Sequence, residues 1–265
     1  MENDKKIEAI RAFHSKNYEK TIIICKDIIK SNKQTSEIYN IYGLALQEKR
    51  LVDESKEQFK IAIELNPNNF EALNNYAISL SNTSELDLAE EVYLNALKIK
   101  PNYINAIFNL GKLNFKKKKY NEAIKLYLKA LEIPTITPTE KIFIQQNLSI
   151  TYSVLGKFIE AKLYSKKTLE IDKNNLQAIK VLSELTDHKK DKSILKKMED
   201  ILRDPNLTIS GKVLLFFELG RIYDELKNYK NAYNYYDKAN KIKKELTKSP
   251  LSNIQEIKNN FLENG

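Results

Sequence analysis

"FNLGKLNFKKKKYNEAIKLYLKALEI", residues 108–133, is the stretch on which the fold turns. A first segment carrying Gly111 runs through four lysines into a second segment that carries Tyr120, Ala123, Tyr127 and Ala130. The same arrangement stands 34 residues earlier and 34 before that, so that 36–69, 70–103 and 104–137 align without a gap. A fourth copy runs 142–175, after a short insertion containing Pro138, and a fifth runs from Val213 to Leu246. Self-similarity at a fixed spacing of this size marks an array of helix pairs, each unable to bury its apolar face alone.

Small residues recur in register. With positions counted from the first residue of each copy, the eighth holds Gly43, Ala77, Gly111, Ser149 and Gly220. The twentieth holds Ser55, Ala89, Ala123, Ala161 and Ala232, and the twenty-seventh holds Ala62, Ala96, Ala130, Thr168 and Ala239. Small side chains let paired helices approach, and larger ones fill the hollows between them. Phe59, Tyr93, Tyr127 and Tyr236, all at the twenty-fourth position, suit that filling role. Leu51, Tyr120, Phe158 and Tyr229 open the second helices, and Pro67 and Pro101 close two copies because proline cannot continue a helix interior. This pattern resembles the tetratricopeptide repeat family. The resemblance implies an all-α, right-handed superhelical solenoid of antiparallel helix pairs, with the first helix of each pair lining a concave face.

The expected solenoid covers residues 1–246. Residues 2–35 read as a first copy in which Thr21 and Cys25 replace an alanine and an aromatic. Residues 176–205 read as a degenerate copy, with "LQAIKVLSELTD" as its first helix and "KSILKKMEDILRD" as its second. Pro205 then breaks the chain and Ser210 is expected to cap the next helix. Residues 247–265 read as a C-terminal helical linker or cap.

Composition narrows the function. The formal charge of +9 comes almost wholly from lysine, with Arg only at 11, 50, 203 and 221, which argues against nucleic acid, where arginine's planar fork reads phosphates and bases. The run Lys116–Lys119 reads as a solvated turn. Cys25 is the only cysteine, so no internal disulfide forms and a reducing, cytoplasmic setting is expected. The N-terminus lacks a signal peptide's apolar core, and no apolar run reaches membrane-spanning length. His14 and His188 stand in different copies, without metal-ligand spacing or a nucleophile beside them. "TISGKV", 208–213, departs from a phosphate loop at Asn206 and Val213 and reads as a turn and cap. No catalytic residue, metal or cofactor is expected, and the oligomeric state is left open.

The functional signal lies on the inferred concave face. The sixth position of three consecutive copies is Asn75, Asn109 and Asn147. An amide offers a donor and an acceptor, so such a ladder suits the backbone of an extended peptide; the other reading is that it bonds neighbouring repeats or water. It resembles the asparagine ladder in the repeat domain of the O-linked N-acetylglucosamine transferases. Asn40, Asn74, Phe108, Lys112, Phe115 and Gln146 face the same groove by register. The family's carboxylate clamp is not matched, since Asn40 and Leu44 stand where it needs Lys and Asn. The expected role is a non-catalytic scaffold that holds an extended peptide or partner protein. The last copy offers an alternative. Phe217, Leu219, Gly220, Tyr223, Asp224, Glu225, Leu226, Tyr229, Ala232, Tyr233, Ala239, Asn240 and lysines 241, 243 and 244 resemble the terminal repeat of bacterial proteins whose repeats precede a sulfotransferase domain. That resemblance implies a substrate-recruiting domain of a larger transferase, with Asn240 at the joint; a last repeat turned polar for solubility would also place an amide there. The nucleotide-binding R-S-G-T loop of that family does not occur in residues 1–265.

Overall fold

The structure, a computed structural model, describes residues 2–31 and 34–248. Every regular element among them is an α-helix, and they fall into two compact units, residues 1–137 and 138–265. The first unit holds α1 (Glu2–His14), α2 (Tyr18–Lys30), α3 (Ser36–Glu48), α4 (Val52–Leu65), α5 (Phe70–Asn82), α6 (Leu86–Ile99), α7 (Ile104–Lys116) and α8 (Tyr120–Leu131). The second holds α9 (Pro138–Val154), α10 (Phe158–Ile171), α11 (Leu176–Glu184), α12 (Ser193–Ile201), α13 (Ile209–Glu225) and α14 (Tyr229–Lys248). Consecutive helices form hairpins, and each hairpin rests on the next through α2 on α3, α4 on α5 and α6 on α7. The fold is an all-α helical-repeat solenoid.

Inside a hairpin, the small residue at the eighth position receives the ring at the twenty-fourth. A Cβ built on Gly43 would stand 2.6 Å from Phe59, one on Gly111 2.5 Å from Tyr127, and one on Gly220 2.7 Å from Tyr236. Phe59, Tyr93 and Tyr127 are accordingly sealed from solvent. The copy at 142–175 lacks the ring. Ser165 stands at its twenty-fourth position, and the Ser149 hydroxyl donates to the Ala161 carbonyl at 2.8 Å while lying 2.6 Å from the Ser165 hydroxyl. Hydrogen bonds there replace apolar filling.

The turn inside each hairpin has one conformation. Its fifteenth-position residue is left-handed in the first copy and in the five regular ones: Lys16, Arg50, Ser84, Lys118, Gly156 and Lys227, with φ between 59° and 72°. The amide of the next residue reaches back five residues in a Schellman closure, as from Lys119 N to Asn114 O at 2.8 Å and from Leu51 N to Leu46 O at 3.0 Å. Only Gly156 adopts this conformation without side-chain cost.

The helix starts follow from capping. Asn17, Thr35 and Asn69 each accept a hydrogen bond from the amide three residues on. The Asn69 amide also donates to the Ser36 hydroxyl at 2.7 Å, and that hydroxyl donates to the Ala62 carbonyl at 2.6 Å, fastening α5 to α3 and α4. Ser210 does not cap as expected. Thr208 accepts from Gly211 N at 3.1 Å, and Ser210 sits inside the first turn of α13. A β-region backbone is needed at a cap, and Thr208 has it, with ψ 153°. The insertion before the fourth copy forms no loop: Pro138 opens α9, where its missing N–H costs nothing, and the inserted residues add a turn to that helix. Of the linker or cap expected at 247–265, residues 247–248 end α14 and 249–265 lie outside the described residues.

Two substitutions test this packing. The Tyr127 hydroxyl is buried without a hydrogen-bond partner, whereas Phe59 fills the same place with none to satisfy. Tyr127→Phe is expected to raise stability by about 1 kcal/mol, seen as a higher urea midpoint at unchanged slope. Arg50→Gly relieves a left-handed residue at φ 63° and is expected to add roughly 1 kcal/mol by the same measurement.

Candidate functional site

The first helices of the unit at 1–137 touch one another directly, α1 against α3, α3 against α5 and α5 against α7. Their outward columns therefore make one continuous face. Position six along that face runs Ile7, Ile41, Asn75, Asn109, and position nine runs Ile10, Leu44, Ile78, Lys112. The face is aliphatic at its α1–α3 end, mixed at α5, and amide and cationic at α7.

The asparagines join up. Asn109 Nδ2 donates to Asn74 Oδ1 at 3.1 Å, Asn74 Nδ2 to Asn75 Oδ1 at 3.2 Å, and Asn75 Nδ2 to Asn40 Oδ1 at 2.9 Å. The rule is simple: the sixth position of one copy donates to the fifth of the copy before it. Asn40 and Asn74 are buried, at 7% and 3% exposure, so they lie behind the face that the register placed them on and hold the amides in front of them. Asn75 and Asn109 are half-buried and keep a second N–H each. The sequence signal that would have found this chain is an asparagine pair 35 apart, Asn40 with Asn75 and Asn74 with Asn109. Beside it, the half-buried Phe108 ring packs 5.8 Å from Tyr127, centre to centre, and Lys112 Nζ stands 5.7 Å from the centre of the Phe108 ring. Phe115 meets Tyr120 edge-on at 5.3 Å.

The amide rule stops at Phe108, which occupies the fifth position of its copy. In the unit at 138–265, Asn147 Nδ2 donates to the Phe143 carbonyl one turn back in α9, at 2.8 Å. Gln146 Nε2 donates to Asn175 Oδ1 at 2.6 Å, the same oxygen that caps α11 through Ala178 N. These two side chains brace their own unit.

The lysine run is largely engaged. Lys116 Nζ donates to the Ser81 carbonyl at 2.7 Å, and Lys117 pairs with Asp87 and Glu90 of the preceding hairpin. Those carboxylates push the Lys117 ammonium up to about 12, Asp87 first, and their own carboxyls are held below the usual range by it. Lys119 reaches Glu90 at 3.4 Å, and Lys118 supplies the left-handed turn. The run is a clamp between repeats.

No reactive centre emerges among the described residues. Cys25 is fully buried and burial pushes its thiol up to about 12, which removes the thiolate needed for nucleophilic attack. His188 is buried and donates through Nε2 to the Ser183 carbonyl at 2.8 Å; His14 stacks edge-on to Phe13 at 6.1 Å. Among the described residues no group of three or more metal-ligating side chains gathers, and no helix is long and apolar enough to cross a membrane.

In α13 and α14, Gly220, Ala232 and Ala239 are buried packing residues, and the Tyr223 hydroxyl donates to Glu199 at 2.7 Å. Asn240 is exposed, whereas Ile63, Leu97, Leu131 and Leu169 at the same twenty-eighth position are half-buried.

Family models described as tetratricopeptide repeat match residues 36–69 and 215–246, 59–91, and 104–133. No curated protein matches the sequence. Among solved structures, PilF of Pseudomonas aeruginosa superposes with a TM-score of 0.63 at 20% identity, over 76% of this chain and 88% of that one. A tetratricopeptide repeat protein of Parabacteroides merdae gives 0.63 at 13% identity, over 97% of each chain. YrrB, a tetratricopeptide repeat protein with an unusual peptide-binding site, gives 0.52 at 24% identity, over 71% of this chain and 93% of that one. At such identities these likenesses speak for the fold. With the matched residues, the hairpins and the small-residue columns in agreement, the chain is a helical solenoid that carries tetratricopeptide repeats.

Proposed function

We propose that the first-helix face of the unit at 1–137 holds an extended peptide of a partner protein and performs no chemistry on it. The observation that carries this reading is the graded face itself: aliphatic columns at α1 and α3, then Asn75 and Asn109, then Lys112 beside Phe108. Aliphatic side chains of the peptide sit on Ile41, Leu44 and Ile78. The second N–H groups of Asn75 and Asn109 meet its carbonyls, and Lys112 takes a carboxylate. Asn40 and Asn74 serve from behind, since their bonds fix the rotation of the two amides in front, so less is lost to ordering when the peptide arrives. Gln146 and Asn147 belong to a second, separate part of this proposal, because their hydrogen bonds run within their own unit. A peptide-binding role is the one named for YrrB, and the fold serves that use without a catalytic group. The engagement of Lys116, Lys117 and Lys119 in bonds to the neighbouring hairpin removes the main support for a nucleic-acid partner. A single buried cysteine suits a cytoplasmic protein.

Selection from a displayed library of random linear peptides tests this. Selected peptides are expected to carry aliphatic residues ahead of an acidic one. Asn75→Ala and Asn109→Ala are each expected to weaken a selected peptide about five- to tenfold, the loss of one hydrogen bond, and Ile78→Asp to abolish binding. Thermal melts confirm that each variant is folded. Peptides that bind a folded Asn75→Ala, Asn109→Ala double variant with undiminished affinity refute the assignment.

A further inference from the structure

The copy at 142–175 differs from its neighbours on its outer side. Its thirteenth, eighteenth and twenty-second positions are Val154, Ile159 and Leu163, exposed at 52%, 84% and 46%. In the four other regular copies these places are polar and exposed throughout. The thirteenth holds Glu48, Asn82, Lys116 and Glu225. The eighteenth holds Asp53, Asp87, Asn121 and Lys230, and the twenty-second Glu57, Glu91, Lys125 and Asn234. The less regular first copy shares only Ile23. Packing within the solenoid therefore does not require apolar side chains here. Phe158, which opens α10, is itself 53% exposed and extends the patch to the turn.

Charge around the patch is mainly positive, with Glu160 the carboxylate beside Ile159. Lys157, Lys162 and Lys166 border it, and none of them forms an ion pair among the described residues. At the same twenty-first position, Lys56 pairs with Glu85 of the following hairpin at 2.9 Å, whereas Lys162 makes no such close pair and interacts with Asp191 only at longer range. Ile159 and Leu163 lie one turn apart, the spacing at which one helix receives another.

We propose that this outer face of α10 docks an acidic amphipathic helix of a partner protein. Aliphatic side chains of that helix cover Val154, Phe158, Ile159 and Leu163, and its carboxylates meet Lys157, Lys162 and Lys166. The site is independent of the peptide-binding face at α1–α7. A membrane surface fits less well, because Glu160 and Glu170 stand on the same helix and oppose an anionic bilayer.

The probe is a labelled synthetic helix of about five turns, with leucines along one face and glutamates beside them. It is titrated against the full chain. Ile159→Asp and Leu163→Glu place at these sites residues that Asp53 and Glu57 already show the fold accepts. Each is expected to weaken binding at least about tenfold, the loss of one buried aliphatic contact, while Asn75→Ala leaves it unchanged. A twin probe with lysines in place of glutamates is expected to bind at least about tenfold more weakly. The proposal is overturned by any of four results: no binding of the acidic probe, equal binding of both probes, Ile159-dependent adsorption to phosphatidylserine vesicles without probe binding, or Ile159-dependent self-association in sedimentation without probe binding.

Discussion

A ring seated against a residue with little or no side chain is the contact on which this architecture rests. Gly43 with Phe59, Gly111 with Tyr127 and Gly220 with Tyr236 bring two helices close enough for a hairpin to exist. Alanine can stand in, as Ala77 does across from Tyr93, so the constraint is one of volume. Once the hairpins form, each offers its neighbour a surface of the same shape, and the array grows by stacking. The amide chain, the lysine clamp and the Asn69 tie are secondary: they join hairpins that the rings have already made.

Most of the helical architecture can be read from residue types, because volume is written directly in them. Gly111 and Tyr127, sixteen residues apart, already state that two helices touch. Dihedral requirements are written less plainly. Four of the six left-handed turn residues are lysine or arginine, which advertise charge, and the conformation follows from the closure of the hairpin. Ser210 and Thr208 are both good caps by type, and backbone angle alone separates them. Pro138 reads equally as a loop residue or a helix opener until its neighbours are known to be helical.

The candidate site was legible in part. Register brought Asn75 and Asn109 to one face with Phe108 and Lys112, but register cannot tell a side chain in front from one behind. Asn40 and Asn74 are one position from their partners, and that offset of 100° around the helix decides between contact and support. Asn147 looked equivalent by register, yet its amide bonds the Phe143 carbonyl one turn back in its own helix. The apolar patch on α10 escaped notice because exposed aliphatics mean little singly; comparison across copies of the same chain gives them weight.

The Ser149–Ser165 pair has a mechanical consequence. In a chain whose units touch only their neighbours, strength is set link by link. A hydroxyl pair surrenders to water far more readily than a sealed tyrosine, because water replaces its bonds but cannot replace apolar contact. Under tension, or under proteolytic attack, the hairpin at 142–175 is the fuse of its unit.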